Sequence, residues 1–166
     1  MMLRGPYAFR PATAADLTML RSWLETPEVV RWWGDPEEQE ALLREDLDEP
    51  GMTMWIVSHD GRPFGYAQHY EVHRWPQPHF QAMPAETVAI DAFIGVPDMI
   101  GGGHGSAFLR QLAERLLADG APCVAIDPDT ANFRARRAYA RAGFVEQGLV
   151  AGEDGDDVLM IFVPGD

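Results

Sequence analysis

This chain contains no lysine and a single cysteine. All 13 of its basic side chains are arginine, against 26 aspartates and glutamates, for a formal net charge of −13 and a pI near 4.6. The missing lysine excludes a Walker-type phosphate loop, in which Lys follows the last glycine. The shortage of positive charge argues against nucleic acid and anionic membranes as partners and favours a cationic ligand, although a solvated acidic surface accounts for most of the carboxylates. Cys123, alone in the apolar run Cys123-Val124-Ala125-Ile126, excludes an internal disulfide and suits a reducing compartment. No apolar run approaches the length of a membrane span, and Phe9-Arg10-Pro11 comes too early for a secretory leader. A cytoplasmic location is therefore expected.

What is present is the composition of a packed globular protein. With 46% hydrophobic and 23% charged residues, the chain is expected to form one domain, residues 1–166. Tyr7 to Arg10 predicts a first strand. Thr13 with Asp16 gives a capping-box-like helix start, Leu17, Leu20 and Leu24 share one helical face, and Pro27 ends that helix. Asp35-Pro36 with Glu38 opens a second helix, which runs to Pro50-Gly51. Met52 to Ser58 and Pro63 to Tyr70 predict a hairpin about the turn 59–62. Residues 71–86, with Pro76, Pro78 and Pro84, form a connection long enough to be a binding loop. Thr87 to Gly95 predicts a strand, and a helix then carries Phe108, Leu109, Leu112 and Leu116 inward as far as Gly120. Cys123 to Asp127 reads as a buried parallel strand and Asn132 to Ala142 as a helix capped by Gly143. Two last strands, Phe144 to Val150 and Val158 to Val163, turn at Asp154-Gly155. This order implies a mixed α/β sheet with helices on both faces.

Two stretches carry the chemistry. Gly101-Gly102-Gly103-His104-Gly105-Ser106 opens a helix, where glycines bare backbone N–H groups at the positive end of the helix dipole and suit any phosphate. The dinucleotide pattern fails, because Ser106 stands where its third glycine belongs. Read alone, a loop with a helix start explains the cluster equally well. Further along come Asn132, Phe133, Arg134 and Ala135, then Tyr139, then Gly143 and Phe144. Taken together, the two stretches resemble the cofactor half of the acetyl-CoA-dependent N-acetyltransferases of the GNAT superfamily. Gly103 and Gly105 match the end of its pyrophosphate motif, while Ile100 departs from the Gln or Arg that commonly begins it.

Within that superfamily the chain resembles the aminoglycoside 6'-N-acetyltransferases. The matching pieces are Trp32-Trp33-Gly34, Gly65-Tyr66-Ala67-Gln68 with Tyr70, Ile90-Asp91, the loop from Gly103, and Asp127-Pro128 leading into the Asn132 helix and Gln147-Gly148. The resemblance covers residues 30–160 and is densest from residue 87 on. It implies the GNAT fold, an α/β architecture with a single mixed, mostly antiparallel sheet, a parallel pair, and helices on both faces. It further implies acetyl-CoA as cosubstrate, no metal, and a small-molecule amine as partner, with the protein a monomer or homodimer. The cosubstrate would be held by Phe93 and Ile94 on a strand, by Gly101, Gly102, Gly103, His104, Gly105 and Ser106, and by Asn132 and Arg136. Asp91 and Tyr139 are the implied catalytic residues, Tyr139 as the acid that protonates the departing thiolate. Trp32, Trp33, Gln68, Asp91 and Asp127 are the implied acceptor residues.

The residues admit plainer readings as well. Tyr139 can be an aromatic of the helix's inward face and Asn132 a helix cap. Asp129 reads equally as a loop cap, and adjacent tryptophans often divide between core and surface. Asp91 is an unusual strand residue unless it has a task. An alkyl ammonium has a pKa of about 10.4, so only on the order of one molecule in a thousand is nucleophilic at neutral pH, and something must take its proton. A carboxylate can do so, yet an anion that binds the ammonium also opposes its deprotonation. Asp91 is therefore expected to bind the acceptor first and act as base second. His69, Glu71, His73 and His79 suggest a metal site, but have neither helical spacing nor a thiolate. The rival functions are a siderophore-precursor or polyamine N-acetyltransferase, and a CoA-binding module without catalysis.

Overall fold

The computed structural model describes residues 6–75, 80–152 and 155–165; Pro76, Pro78, His79 and Asp154 of the loop and turn above lie outside them. Among the described residues there are seven strands, β1 (Tyr7–Pro11), β2 (Met52–His59), β3 (Arg62–Glu71), β4 (Val88–Ile94), β5 (Val124–Ile126), β6 (Phe144–Gly152) and β7 (Gly155–Phe162). Five α-helices accompany them: α1 (Leu17–Leu24), α2 (Pro27–Trp33), α3 (Pro36–Asp46), α4 (His104–Ala118) and α5 (Phe133–Ala142). The strands form one sheet in the order β1-β2-β3-β4-β5-β7-β6. β4 and β5 run parallel, whereas β1 with β2, β5 with β7 and β6 with β7 are antiparallel. This is the mixed sheet with a parallel pair expected from the sequence.

By its internal contacts the chain divides into two compact units, Met1–His69 with Asp91–His104, and Tyr70–Ile90 with Gly105–Asp166. In the first, Leu17, Leu20 and Leu24 of α1, Val29 of α2 and Leu43 of α3 pack with Met54, Ile56, Tyr66 and Phe93 of the strands. Leu20 and Ile56 are fully buried, so truncating Leu20 to alanine costs about 2–5 kcal/mol. Gly95 follows β4, and its N–H donates to the Phe64 carbonyl (2.8 Å). A methyl group at Gly95 would overlap the Trp23 ring, so the strand end and α1 can approach this closely only without a side chain. In the second unit β5 is buried at all three positions. β7 turns Val158, Met160 and Phe162 inward at alternate positions, and α4 buries Phe108, Leu109, Leu112, Ala113 and Leu116.

The front of the chain differs from expectation. The sequence predicts two helices before the hairpin, and the structure has three. Pro27 does end α1, but it also occupies the first turn of α2, with extended Thr26 as the N-cap (φ −68°, ψ 145°) and Glu28 in the first turn. Proline suits that position because its missing N–H has no helical partner there. Trp32 and Trp33 therefore sit on a helix, which stops at Gly34 (φ 98°). The Thr13 and Asp16 box starts a 3-10 turn, Ala14–Asp16, before α1 proper. The tight hairpin turn expected at 59–62 is present: Asp60 and Gly61 (φ 50° and 80°) make a two-residue turn, with His59 and Arg62 closing the strands on either side.

Candidate active site

The expected acceptor residues of the first unit come from β3, β4 and α2. Gly95 N–H bonds to Phe64 O, and Val72 N–H to Thr87 O, at opposite ends of the β3 and β4 pair. That register sets Tyr66 opposite Phe93 and Gln68 opposite Asp91, on one face. The side chains follow it. The rings of Tyr66 and Phe93 stack with centroids 5.3 Å apart, and Gln68 Nε2 donates to Asp91 Oδ2 at 3.0 Å. Tyr66 in turn donates its hydroxyl to Gln68 Oε1 at 2.7 Å. This bond fixes the amide: with Oε1 accepting from Tyr66, the NH2 end points at the carboxylate.

Tyr66 is buried, and its hydroxyl is held well above the usual tyrosine range, first by burial and then by the charges of Asp46 and Asp91. It remains a donor at every working pH. Asp46, the last residue of α3, is itself raised by burial and by Glu45 and Glu49. Two carboxylates from different elements therefore act on one hydroxyl, a field suited to a cation. Sequence reasoning assigned no role to Tyr66 or Asp46. Tyr66 shares the face of Gln68 by strand alternation, which is a findable signal; nothing local marks Asp46.

The tryptophans divide. Trp33 packs edge-on against Phe93 (5.1 Å) and Tyr66 (6.3 Å), beside the Gln68 and Asp91 pair. Trp32 is half-buried, donates to Glu28 Oε1 (3.2 Å) and lies under the Arg31 guanidinium (4.8 Å). Phe93 is buried in the core, so it offers a ligand its backbone rather than its ring.

Gly101, Gly102 and Gly103 are exposed, and their N–H groups donate to no backbone carbonyl among the described residues. Gly101 and Gly103 both have φ 87°, with open space where a Cβ would lie. Such a run ahead of a 15-residue helix fits a pyrophosphate. His104 begins α4, and its Nδ1 shares a hydrogen bond with the Tyr7 hydroxyl (2.9 Å), while its ring lies 4.9 Å from that of His59 and 5.6 Å from that of Phe64.

In the second unit, Ser106 Oγ donates to the Ala138 carbonyl at 2.7 Å, tying the first turn of α4 to the middle of α5. Asn132 caps α5, its Oδ1 accepting from Ala135 N–H (3.2 Å). The Tyr139 ring is half-buried, 6.3 Å from Phe144. Asp129 Oδ1 accepts from Ala131 N–H (2.8 Å), the loop-capping arrangement, and Asp127 is half-buried just after β5. Arg136 is engaged with Glu146 through both Nε (2.8 Å) and Nη2 (3.0 Å), and with the Thr130 carbonyl through Nη1 (2.8 Å).

Among the described residues no three His, Cys, Asp or Glu side chains are grouped to hold a metal ion. His69 instead accepts from Trp55 Nε1 (3.1 Å), and burial lowers its pKa to about 4; His73 bonds to the Met83 carbonyl (2.9 Å). No helix of the described residues is long and apolar enough to cross a membrane.

The mixed sheet with its parallel pair, β4 with β5, and the open glycine run ahead of α4 fit an acyltransferase built on a GNAT sheet. Residues 12–151 match the acetyltransferase (GNAT) domain family, and the chain belongs to that family as an acetyl-CoA-dependent N-acetyltransferase. It is 34% identical over 161 residues to the aminoglycoside N(6')-acetyltransferase type 1 of Klebsiella pneumoniae, covering 92% of this chain and 80% of that one. The aminoglycoside acetyltransferase AAC(6')-Ib, solved with coenzyme A and kanamycin, superposes with a TM-score of 0.82 at 32% identity, covering 93% of each chain. An aminoglycoside N(6')-acetyltransferase from Legionella pneumophila has a TM-score of 0.75 at 23% identity, covering 96% of this chain and 92% of that one, and shares the fold.

Proposed function

We propose that the protein, acting as one domain over residues 1–166, acetylates the 6'-amine of an aminoglycoside by direct attack in a ternary complex. The reading rests chiefly on the Asp91 carboxylate, set by Gln68 in an acidic surround, in a chain 32% identical to an enzyme solved with coenzyme A and kanamycin. Acetyl-CoA supplies the thioester carbonyl. Asp91 binds the acceptor ammonium and then takes its proton directly or through water; because its charge opposes deprotonation, binding is its first task. Trp32, Trp33, Gln68 and Asp127 hold the rest of the acceptor.

Backbone N–H groups from Ala92 to Ile94 polarise the carbonyl, and those of Gly101 to Ser106 take the pyrophosphate. Asn132 contacts the pantetheine arm. Arg136, held by Glu146, keeps the carbonyl of Thr130 and the loop before α5 in place for it. Tyr139 gives its proton to the sulfur as the C–S bond breaks. Burial favours direct attack, since it pushes the Cys123 thiol up against the opposing hydrogen bond with Thr87, the reverse of an activated nucleophile.

A thiol-release assay tests the proposal. Kanamycin and tobramycin are expected to release thiol, and analogues with a 6'-hydroxyl to bind without release. Equal turnover of the hydroxyl analogues would refute the 6' assignment. Silence with every aminoglycoside would refute the acceptor class and leave only the family.

A further inference from the structure

Among the described residues, charge pairing leaves one conspicuous remainder. Arg10, Arg21, Arg44, Arg62, Arg110, Arg115 and Arg136 each hold a carboxylate. Arg31 and Arg74 lie over tryptophan rings. Among the described residues the other arginines, Arg134, Arg137 and Arg141, have neither an acidic nor an aromatic partner, and all three are exposed. They fall on the single helix α5 at spacings of three and four, which is one stripe of its surface. In a chain of net charge −13 carboxylates are abundant, so three unpaired cations in one stripe stand apart from its general pattern of pairing.

Their place narrows the ligand. Arg134 and Arg141 lie four residues before and three after Ala138, so they share its side of the helix, and Ala138 is the residue that Ser106 of the glycine loop holds. The stripe spans about 10 Å along the axis and borders the helix end that suits the pyrophosphate. Coenzyme A has a third phosphate, a phosphomonoester on the ribose next to that pyrophosphate. It carries more charge than either diphosphate unit and presents three equivalent oxygens, which guanidinium forks match.

We propose that Arg134, Arg137 and Arg141 bind the 3'-phosphate of coenzyme A and make the enzyme select acetyl-CoA over its 3'-dephospho form. The proposal rests on acetyl-CoA as cosubstrate and not on the identity of the acceptor. Calorimetric titration of coenzyme A and 3'-dephospho-coenzyme A, with no acceptor present, tests it in the wild type and in the variant with Arg134→Gln, Arg137→Gln and Arg141→Gln combined. Three exposed ion pairs give the wild type at least about tenfold preference for coenzyme A at low salt, decaying as salt rises. The variant should lose that preference through weaker coenzyme A binding alone, and unchanged affinity for the dephospho form also reports that it is folded. A wild type that holds both ligands equally, or binds neither, overturns the proposal. So does a variant that keeps the preference, or one that is folded by circular dichroism and loses both ligands alike. A stripe that serves instead as a contact for a second acidic copy would appear as a wild type without preference whose sedimentation changes in the variant. Failure of kanamycin turnover would refute the acceptor reading and leave these titrations unaffected.

Discussion

Tyr66→Phe removes one oxygen, and the structure says what that oxygen does. The hydroxyl donates to Gln68 Oε1 at 2.7 Å, and Gln68 donates onward to Asp91 Oδ2 at 3.0 Å. Without it, a buried amide oxygen loses a donor, at a cost of about 1–3 kcal/mol in stability. The amide also loses the contact that tells its two ends apart, and a rotated Gln68 would present oxygen to the carboxylate. A carboxylate displaced by even a fraction of an ångström holds the acceptor amine poorly, so acceptor kcat/KM should fall about ten- to a hundredfold. Coenzyme A affinity should be unchanged. Gln68→Leu breaks the same relay one link later, so combining it with Tyr66→Phe should add little to the loss from Gln68→Leu alone. Steady-state kinetics of thiol release on the four proteins of this cycle, with chemical denaturation in parallel, gives both numbers. Additive losses in kcat/KM, or a Tyr66→Phe enzyme as active as wild type, would refute the relay.

Other expectations follow from the same geometry. Tyr139→Phe should lower kcat at least about tenfold with little change in either KM, because proton delivery to sulfur matters only as the C–S bond breaks; wild-type kcat at every pH would contradict the assignment. Gly103→Val places a branched side chain at φ 87° in the exposed loop, so acetyl-CoA KM should rise strongly while far-ultraviolet circular dichroism is retained; an unchanged KM in the folded variant removes the loop from the cosubstrate site. His69, with its pKa lowered to about 4, is neutral in the folded chain, while an unfolded histidine takes up a proton below about 6.5. Its contribution is therefore complete above pH 6.5 and lost as pH falls toward 4, by up to about 3 kcal/mol. Urea denaturation at pH 7 and pH 4.5 should show wild type losing more stability than His69→Gln, and parallel losses would contradict it.

Much of this architecture is written in local pattern. The Asn132 cap, the Gly143 stop, the inward face of α4 and the hairpin after Met52 rest on neighbours a few residues apart, and the structure has them all. Where two local signals compete, the reading fails: Pro27 is both a stop for α1 and a start for α2, and only packing of Val29 into the core decides that a third helix forms. At the site, Gln68 and Asp91 are legible as candidate residues, and the structure joins them. The hydroxyl that sets Gln68 is less so, because alternation gives the face of Tyr66 and not the direction of its O–H. Pairing is invisible locally. Arg136 and Arg137 are adjacent on α5, yet Glu146 holds the first and leaves the second exposed, which depends on where β6 passes.

The most direct test of the account is the structure of the product. One-pot acetylation of kanamycin, followed by two-dimensional NMR of the isolated compound, locates the new acetamide among several competing amines. The account predicts a single acetyl group on the 6'-nitrogen. An acetyl group on any other amine, or a mixture of positions, would contradict it.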